Sequence, residues 1–382
     1  MGEVHQEARE RRHARHSREG GGAGTTTATV PPVDAPAAAP GSAVMELRNV
    51  SLVFKTNRGD LPAVTDVSFA LAPGEVICLV GESGCGKTTT GKILAGLHQP
   101  TSGAILFEGK DVKTLTGRDY DRYRREVQII HQDPYASLNP ARTIFQTLSA
   151  PLERYKVVRG RTQLTAKVIE LLELVDLTPA SDFIEKYPHQ LSGGQRQRLA
   201  IARSLTVEPD FIVADESVSM LDVSIRMSLL ETLLKLKEEL GVAFVFITHD
   251  LAVARHFAWD GRIGVMYLGR LIEIGPAQDI VGDPQHPYTR ALLGAIPEAD
   301  PTITRTKERI QLRSLDVPSL YNVPTGCSFH PRCPFFEEGL CDTLIPPLYE
   351  IRNQRSACHV MAREVAGITP YGMEPVAGAR AG

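Results

Sequence analysis

The stretch VICLVGESGCGKTTTGKILAGL, residues 76–97, decides the fold of this 382-residue chain. A short apolar run leads into a glycine-rich turn, and helix-forming residues follow the turn. The pattern G-x-x-x-x-G-K-[ST], in the strand–loop–helix context that it requires, is matched by Gly81, Gly86, Lys87 and Thr88. Such a loop points backbone N–H groups at phosphate oxygens, and the following helix adds its dipole. The stretch therefore predicts a phosphate-binding loop (P-loop) in an α/β protein.

Two side chains of this loop have separate predicted roles. Lys87 is placed to reach the β- and γ-phosphates of a nucleotide, and the Thr88 hydroxyl is placed to bind Mg²⁺. The predicted nucleotide contacts of the loop are Gly81, Glu82, Ser83, Gly84, Cys85, Gly86, Lys87, Thr88 and Thr89.

A pair of carboxylates follows a second apolar strand. Residues 211–214 are apolar and lead directly into Asp215 and Glu216. An aspartate at such a strand end can hold Mg²⁺, directly or through water. Glu216 is placed to orient or deprotonate an attacking water as a general base. Downstream of a P-loop, this pair predicts hydrolysis of the bound nucleotide.

A second helix start suited to an anion lies between these two segments. In YPHQLSGGQRQRLAIARSL, residues 187–205, helical periodicity begins at Gln195 after the N-cap Ser192 and the open glycines Gly193 and Gly194. One triphosphate does not need two such sites within one chain. We therefore expect a dimer in which this segment of one chain covers the γ-phosphate bound by the other chain.

Composition narrows the class of protein. Hydrophobic residues make up 42% and charged residues 23%, and the net charge is −3, which gives no global field for capturing nucleic acid. No apolar run reaches the roughly 18 residues of a membrane span. The N-terminal sequence lacks the apolar segment that a signal peptide requires. We therefore expect a reducing compartment, in which structural disulfides are rare.

LSGGQ between a P-loop and a strand ending in Asp-Glu resembles the ATP-binding subunit of an ABC (ATP-binding cassette) transporter. The resemblance implies an ATP-hydrolysing translocase subunit with a P-loop NTPase fold, in which a mainly parallel sheet carries an antiparallel β subdomain and an inserted helical subdomain. We expect a disordered tail at residues 1–43, the cassette at 44–276 with its helical subdomain at about 133–202, a small Cys-rich C-terminal extension at 277–365, and a flexible tail at 366–382.

The resemblance also implies roles for residues outside the P-loop. Gln132 resembles the glutamine that senses Mg²⁺ and the membrane partner, and His249 resembles the switch histidine that contacts the γ-phosphate. Asp222, in the segment SMLD at residues 219–222, resembles part of the loop that crosses the dimer interface. Phe54 is placed like the aromatic residue that stacks on adenine.

Two positions depart from the family pattern. The chain has Ser217 where the family generally has Pro, and Met220 where it generally has Ala. Neither change removes a charged or hydrogen-bonding catalytic group, so we expect the composite ATP sites to be competent.

The periodicity of the sequence predicts alternating strands and helices. Strands are expected near residues 45–54, 64–70, 76–80, 211–215 and 242–248, and helices at 86–97, 164–177 and 223–240. This alternation favours a mainly parallel, helix-covered sheet with the ligand at the carboxyl ends of its strands.

HQDPYASLNPARTI, residues 131–144, and GDPQHPYTRALLGAIP, residues 282–297, resemble the oligopeptide and dipeptide importer branch. The branch implies two ATPase subunits (often different), two membrane permeases and an extracytoplasmic binding protein, with this chain peripheral on the cytoplasmic face of the membrane. Nickel or an oligosaccharide is an alternative solute. A soluble, non-transport ABC ATPase is the competing class, but the chain lacks the long coiled coil of DNA-repair members and has one cassette where translation members usually have two.

The C-terminal cysteines raise a separate question. Their spacing is C-x5-C-x7-C-x16-C, at Cys327, Cys333, Cys341 and Cys358. Zinc sites more often use C-x2-4-C pairs, whereas four cytosolic thiolates are compatible with a [4Fe–4S] cluster, which some members of the resembled branch hold. We expect an iron–sulfur cluster, with zinc and unliganded thiols as alternatives. Cys78 reads as a core residue, and Cys85, at a helix start, as an alkylation-sensitive thiol.

Overall fold

The structure is a computed structural model that describes residues 43–217, 222–296 and 310–369. The predicted N-terminal tail, Met220 and most of the C-terminal tail lie outside the described residues. Within them, no helix combines the length and apolarity needed to cross a membrane.

The described residues form two β-sheets. In chain order the strands are β1 (Met45–Thr56), β2 (Gly59–Leu71), β3 (Val76–Val80), β4 (Ser102–Phe107), β5 (Lys110–Asp111), β6 (Val127–Ile130), β7 (Phe211–Asp215), β8 (Ala243–Ile247), β9 (Arg262–Tyr267), β10 (Arg270–Pro276), β11 (Tyr349–Ile351) and β12 (Gln354–Ser356). The larger sheet has the order β11-β12-β10-β9-β3-β8-β7-β6, and the smaller has β2-β1-β4-β5.

The helices cover the larger sheet and form most of the segment between β6 and β7. They are α1 (Lys87–Leu94), α2 (Gly117–Glu126), α3 (Pro134–Ser137), α4 (Ile144–Arg154), α5 (Arg161–Leu174), α6 (Gly193–Leu205), α7 (Val223–Leu240), α8 (Leu251–Phe257), α9 (Ala277–Gly282), α10 (Pro287–Ala295) and α11 (His359–Ala366). Short 3-10 turns lie at Val112–Thr114, Ala180–Asp182 and Pro188–Gln190.

Parallel pairing organises the centre of the larger sheet. Strand β3 pairs in parallel with β8 and β9, and β7 pairs in parallel with β8 and β6. Because parallel neighbours run in one direction, their carboxyl ends lie at one edge. That edge is where the P-loop and the Asp-Glu pair emerge.

Strand β3 separates two hydrophobic cores. Side chains alternate along a strand, so Val76, Cys78 and Val80 enter the core shared with the helices, while Ile77 and Leu79 enter the core shared with the antiparallel sheet. All five residues of the strand are buried. Burial on both faces explains why this strand reads as a continuous apolar run in the sequence.

Several elements have the bounds that the periodicity predicts. Strands β3 and β7 and helix α7 coincide with their predictions, and β8 is one residue shorter at each end. Helix α1 ends at Leu94, short of the predicted residue 97, because Gly96 takes a positive φ of 66°. Helix α5 begins and ends three residues earlier than predicted.

Strands β11 and β12 complete one edge of the larger sheet. Strand β12 pairs antiparallel with β10, so that Glu273 lies opposite Ser356, and β11 pairs with β12. The side chain of Glu273 is fully buried, and its Oε1 accepts the backbone N–H groups of Gln285 at 2.6 Å and His286 at 2.8 Å. This carboxyl therefore ties the segment that leads into α10 to strand β10.

Burial raises the pKa of Glu273 from 4.5 to about 7, against the opposing effect of the hydrogen bonds it accepts. The folded state thus holds the proton more tightly than the unfolded state does. Stabilisation from the neutral carboxyl is fully present below pH 4.5 and is lost as the pH rises through about 7.

We expect Glu273→Gln to remove this contribution, because the amide stays neutral at every pH. The apparent Tm of the variant should fall less than that of the wild type between about pH 4.5 and 7, measured by circular dichroism in constant salt. Glu364→Gln, which changes an exposed carboxylate on α11, serves as the control and should keep the wild-type dependence. Equal pH dependence in Glu273→Gln and the wild type would contradict the assignment.

Candidate functional site

The P-loop runs over the backbone of two other strands. A Cβ atom on Gly81 would lie 2.2 Å from the carbonyl oxygen of Met266, and one on Gly86 would lie 2.4 Å from that of Ala63. Both glycines also have positive φ angles, of 148° and 103°. Only glycine fits at either position, so the close approach fixes the loop against β9 and β2.

Lys87 begins α1 and is almost fully buried, at 4% exposure. Its Nζ donates to the carbonyl oxygens of Gly81 at 2.8 Å and Glu82 at 2.9 Å. The ammonium group therefore lies along the inner side of the P-loop. That position places a positive charge where phosphate oxygens approach the helix start.

Two of the three predicted Mg²⁺ ligands, Thr88 and Asp215, lie together, and the third is Gln132. The Thr88 hydroxyl donates to Oδ1 of Asp215 at 2.9 Å, although the two residues are far apart in sequence. Asp215 is 3% exposed at the end of β7. Hydroxyl and carboxylate oxygens are the hard ligands that Mg²⁺ prefers, so this pair fits the ion.

Burial raises the pKa of Asp215, and the negative charge of Glu216 raises it further. The Thr88 hydrogen bond and the ammonium groups of Lys92 and Lys87 lower it. A divalent cation would add a far larger positive charge and favour the carboxylate.

Glu216 lies between the two other predicted catalytic side chains. Gln132 donates from Nε2 to Oε2 of Glu216 at 3.0 Å, and Nδ1 of His249 lies 3.5 Å from Oε1. Gln132 follows β6, Glu216 follows β7, and His249 follows β8. The structure thus brings the predicted base, the glutamine and the histidine to adjacent strand ends.

Ser217 follows this carboxylate where the family pattern has Pro. It is 3% exposed, and its hydroxyl makes no hydrogen bond within the ranges that the structure describes. The backbone of Glu216 itself has a positive φ of 42°. The substitution leaves Glu216 in contact with Gln132 and His249.

Phe54, the predicted adenine contact, is half-buried near the end of β1. Its ring meets His98 edge-on, with centroids 5.4 Å apart and an interplanar angle of 79°. Burial lowers the pKa of His98, which favours the neutral ring. The stacking role of Phe54 stays a prediction.

The LSGGQ segment forms the predicted helix start. Ser192 caps α6: its Oγ accepts the Gln195 N–H at 3.3 Å, and Oε1 of Gln195 accepts the Ser192 N–H at 3.0 Å. Ser192 and Gly193 are exposed. Among the described residues, this segment makes no hydrogen bond to the P-loop of its own chain, which leaves the helix start open to a partner.

The segment that the family places across the dimer interface is described only at its end. Residues 219–221 lie outside the described ranges. Asp222 is the exposed N-cap residue of α7, and its side chain accepts no capping hydrogen bond there.

The prediction of an iron–sulfur cluster is wrong. Across residues 43–217, 222–296 and 310–369, no group of three or more His, Cys, Asp or Glu side chains could hold a metal ion. The residues concerned are Cys327, Cys333, Cys341 and Cys358. All are free thiols, and they line a common cavity of only about 10 Å³, the room of about one water molecule.

The four thiols lie among apolar side chains. Burial raises the pKa of Cys327, Cys333 and Cys358 to about 12, and it also raises the pKa of Cys341. Neutral buried thiols pack as small apolar groups. The spacing of the cysteines in the sequence does not report these surroundings.

Cys78 is fully buried in β3, as predicted for a core residue. Cys85 differs from its prediction. Burial raises the pKa of its thiol and outweighs the lowering effect of Lys87, and the residue is only 4% exposed. The helix start therefore does not make Cys85 an accessible thiolate.

Sequence reasoning missed a contact between the C-terminal extension and the P-loop. Arg332 donates to both carboxylate oxygens of Glu82, at 3.0 and 3.2 Å, and the Tyr288 hydroxyl accepts the Glu82 N–H at 3.0 Å. These residues are separated from Glu82 by more than 200 positions. No local pattern in the sequence marks such a long-range pair.

Comparison with known families divides the chain into two matched parts. Residues 64–219 match the family described as ABC transporter. Residues 272–341 match the family described as oligopeptide/dipeptide transporter, C-terminal region.

Curated relatives align over most of their own length. A probable peptide ABC transporter ATP-binding protein of Sinorhizobium fredii is 44% identical over 85% of this chain and 90% of the relative. A putative peptide import ATP-binding protein of Brucella ovis is 46% identical over 81% of this chain and 95% of the relative. An oligopeptide transport ATP-binding protein of Bacillus subtilis is 41% identical over 83% and 97%.

Solved structures match the cassette. A dimeric ATP-binding cassette in a post-hydrolysis state with ADP and phosphate is 30% identical, with a TM-score of 0.54 over 59% of this chain and 96% of that one. A second dimeric structure of a bacterial ABC transporter cassette matches with a TM-score of 0.54 and 30% identity over 61% and 98%.

We expect Thr88→Ala to weaken Mg²⁺-dependent ATP binding by at least about tenfold, because it removes one of the two paired oxygen ligands. The measurement is ATP affinity with Mg²⁺ and with EDTA. Thr88→Ser keeps the hydroxyl and is the matched control, with near wild-type affinity expected. An equal loss in both variants, or none in Thr88→Ala, would remove Thr88 from the metal site.

Proposed function

The chain belongs to the family of ABC transporter ATP-binding proteins and is an ATPase that binds ATP and Mg²⁺, and from this premise we propose that it powers peptide import across a membrane. The observation that carries the peptide assignment is the match of residues 272–341 to the oligopeptide/dipeptide transporter C-terminal region. The names of the relatives, which refer to peptide or oligopeptide transport, support it.

The proposed site assigns a task to each polar side chain. Thr88 and Asp215 would hold Mg²⁺, which neutralises phosphate charge when bound. Lys87 would contact the phosphates from the inner side of the P-loop. Glu216 would take the proton of the attacking water, held in position by Gln132.

His249 is proposed to report on the γ-phosphate. Its side chain is 56% exposed and lies beside Glu216. An exposed histidine at a strand end can change contacts when the phosphate is present or absent. Loss of those contacts after hydrolysis would favour opening of the dimer.

The exposed start of α6 supports a composite site. We propose that Ser192, Gly193, Gly194 and Gln195 of one chain, together with Asp222, complete the ATP site of a second ATPase chain. The dimeric ATP-binding cassettes that this fold resembles are consistent with such pairing. We propose that the second chain is a different ATPase subunit. Within its own ATP site, Phe54 of this chain would stack on adenine.

The proposal also assigns the larger segments. Residues 44–276 would form the cassette, with a helical subdomain at about 133–202. The region around Gln132 would pass the motion of the cassette to the helices of the two membrane permeases. Residues 277–365 would form the extension. The chain would then be peripheral on the cytoplasmic face of the membrane, and an extracytoplasmic binding protein would deliver the peptide.

We expect Glu216→Gln to keep ATP binding and to lower kcat by about 100-fold or more, because the amide cannot accept the proton of water. Lys87→Ala should instead lose ATP binding. Steady-state ATP hydrolysis and nucleotide affinity, measured on the full-length chain, separate the two effects. Glu238→Gln, an exposed carboxylate on α7, should behave as the wild type. Normal turnover in either site variant would reject the assignment.

The transported solute needs a separate experiment. In proteoliposomes that contain the permeases, the binding protein and both ATPase subunits, short peptides should stimulate ATP hydrolysis and accumulate inside. Stimulation by Ni²⁺ or an oligosaccharide, with no response to peptides, would overturn the peptide assignment. Glu216→Gln in the same vesicles should abolish accumulation while the complex still assembles.

A further inference from the structure

One cation of the C-terminal extension lies directly on the P-loop. Arg332 is 6% exposed, and its guanidinium group donates to both carboxylate oxygens of Glu82, at 3.0 and 3.2 Å. Glu82 immediately follows Gly81 in the phosphate-binding loop. The pair therefore joins the ATP site to a segment about 250 residues later in the chain.

Buried aromatic rings hold this cation in place. The guanidinium carbon of Arg332 lies 5.8 Å from the ring centroid of Tyr267 and 5.7 Å from that of Phe329. Both rings are 1% exposed, and they meet edge-on with centroids 5.4 Å apart. Such packing leaves the Arg332 side chain little freedom to change its position.

The backbone of Glu82 is held by the same cluster. The hydroxyl of Tyr288, on α10, accepts the Glu82 N–H at 3.0 Å. The ring of Tyr288 is 1% exposed and packs against Tyr267 with centroids 4.7 Å apart. Side chain and backbone of Glu82 are thus both fixed by residues beyond the P-loop segment.

The charge of Glu82 is unfavourable at this place unless it is paired. A carboxylate in the loop repels the negative oxygens of a triphosphate. The side chain of Glu82 is only 28% exposed and that of Arg332 only 7%, so water screens the repulsion weakly. The guanidinium group of Arg332 neutralises this carboxylate.

We propose that Arg332 is a positioning residue of the ATP site, through which the C-terminal extension neutralises the P-loop carboxylate of Glu82 and sets the affinity for ATP. This inference rests on the proposed ATPase function. Arg332 acts through Glu82 and not by touching the reacting atoms. The extension is then a part of the nucleotide site and not only an appendage of the cassette.

The test separates charge neutralisation from simple packing. Arg332→Gln should raise the KM for ATP on the order of tenfold and leave kcat within about twofold, because the unpaired carboxylate opposes ATP binding and leaves the general base in place. The double variant Glu82→Gln/Arg332→Gln removes that carboxylate and should lower the KM again relative to Arg332→Gln. A purely structural role predicts the opposite, namely a double variant at least as impaired as the single one.

Two further variants complete the set. Arg332→Lys keeps the positive charge and should lie between the wild type and Arg332→Gln. Arg363→Gln breaks the exposed pair of Arg363 and Glu337 within the same extension and should keep the wild-type KM. All variants are full-length chains, compared by steady-state ATP hydrolysis, ATP affinity and apparent Tm.

The outcomes distinguish the two proposals. If the wild type hydrolyses ATP and Arg332→Gln keeps its KM, or if the double variant keeps the raised KM of Arg332→Gln, the inference about Arg332 is overturned while the ATPase assignment stands. If the wild type neither binds nor hydrolyses ATP, the proposed function is overturned, and the role of Arg332 falls with it.

Discussion

Parallel strand pairing is the constraint on which the rest of the molecule depends. Ile130 pairs with Ala214 and Asp215 with Ile247, so β6, β7 and β8 end at one level of the sheet. The side chains that follow these ends meet for that reason, with Gln132 and His249 each in contact with Glu216. A shift of one residue in any pairing would turn the ends to opposite faces and separate them.

The same edge concentrates buried charge. Asp215 and Lys87 are 3% and 4% exposed, and each has polar partners within the site. Burying unpaired charges is costly, so the loop, the helix start and the neighbouring strand ends have to be assembled together. Two glycines of the loop, Gly81 and Gly86, allow it to approach the backbone of the neighbouring strands closely.

The sequence predicts those parts of the fold and the site whose residues are neighbours in the chain. The P-loop, the strand before Asp215 and the LSGGQ cap are contiguous patterns, and β3, β7 and α7 have their predicted bounds. The cysteine prediction failed because the spacing of cysteines in the sequence does not report how their side chains are grouped and buried in the fold. Arg332 was missed because its partner, Glu82, is about 250 residues away and no period or motif connects them.

The antiparallel contact between β10 and β12 has a consequence for the order of synthesis. Strand β10 ends at Pro276, but Arg355 and Ser356, the residues that pair with its outer edge, are synthesised well after it. Until then the backbone groups of that edge have no partner from β12, and an open strand edge invites association between chains. A nascent or prematurely terminated chain would thus contain every ATP motif and still expose the unpaired edge of β10 to other chains.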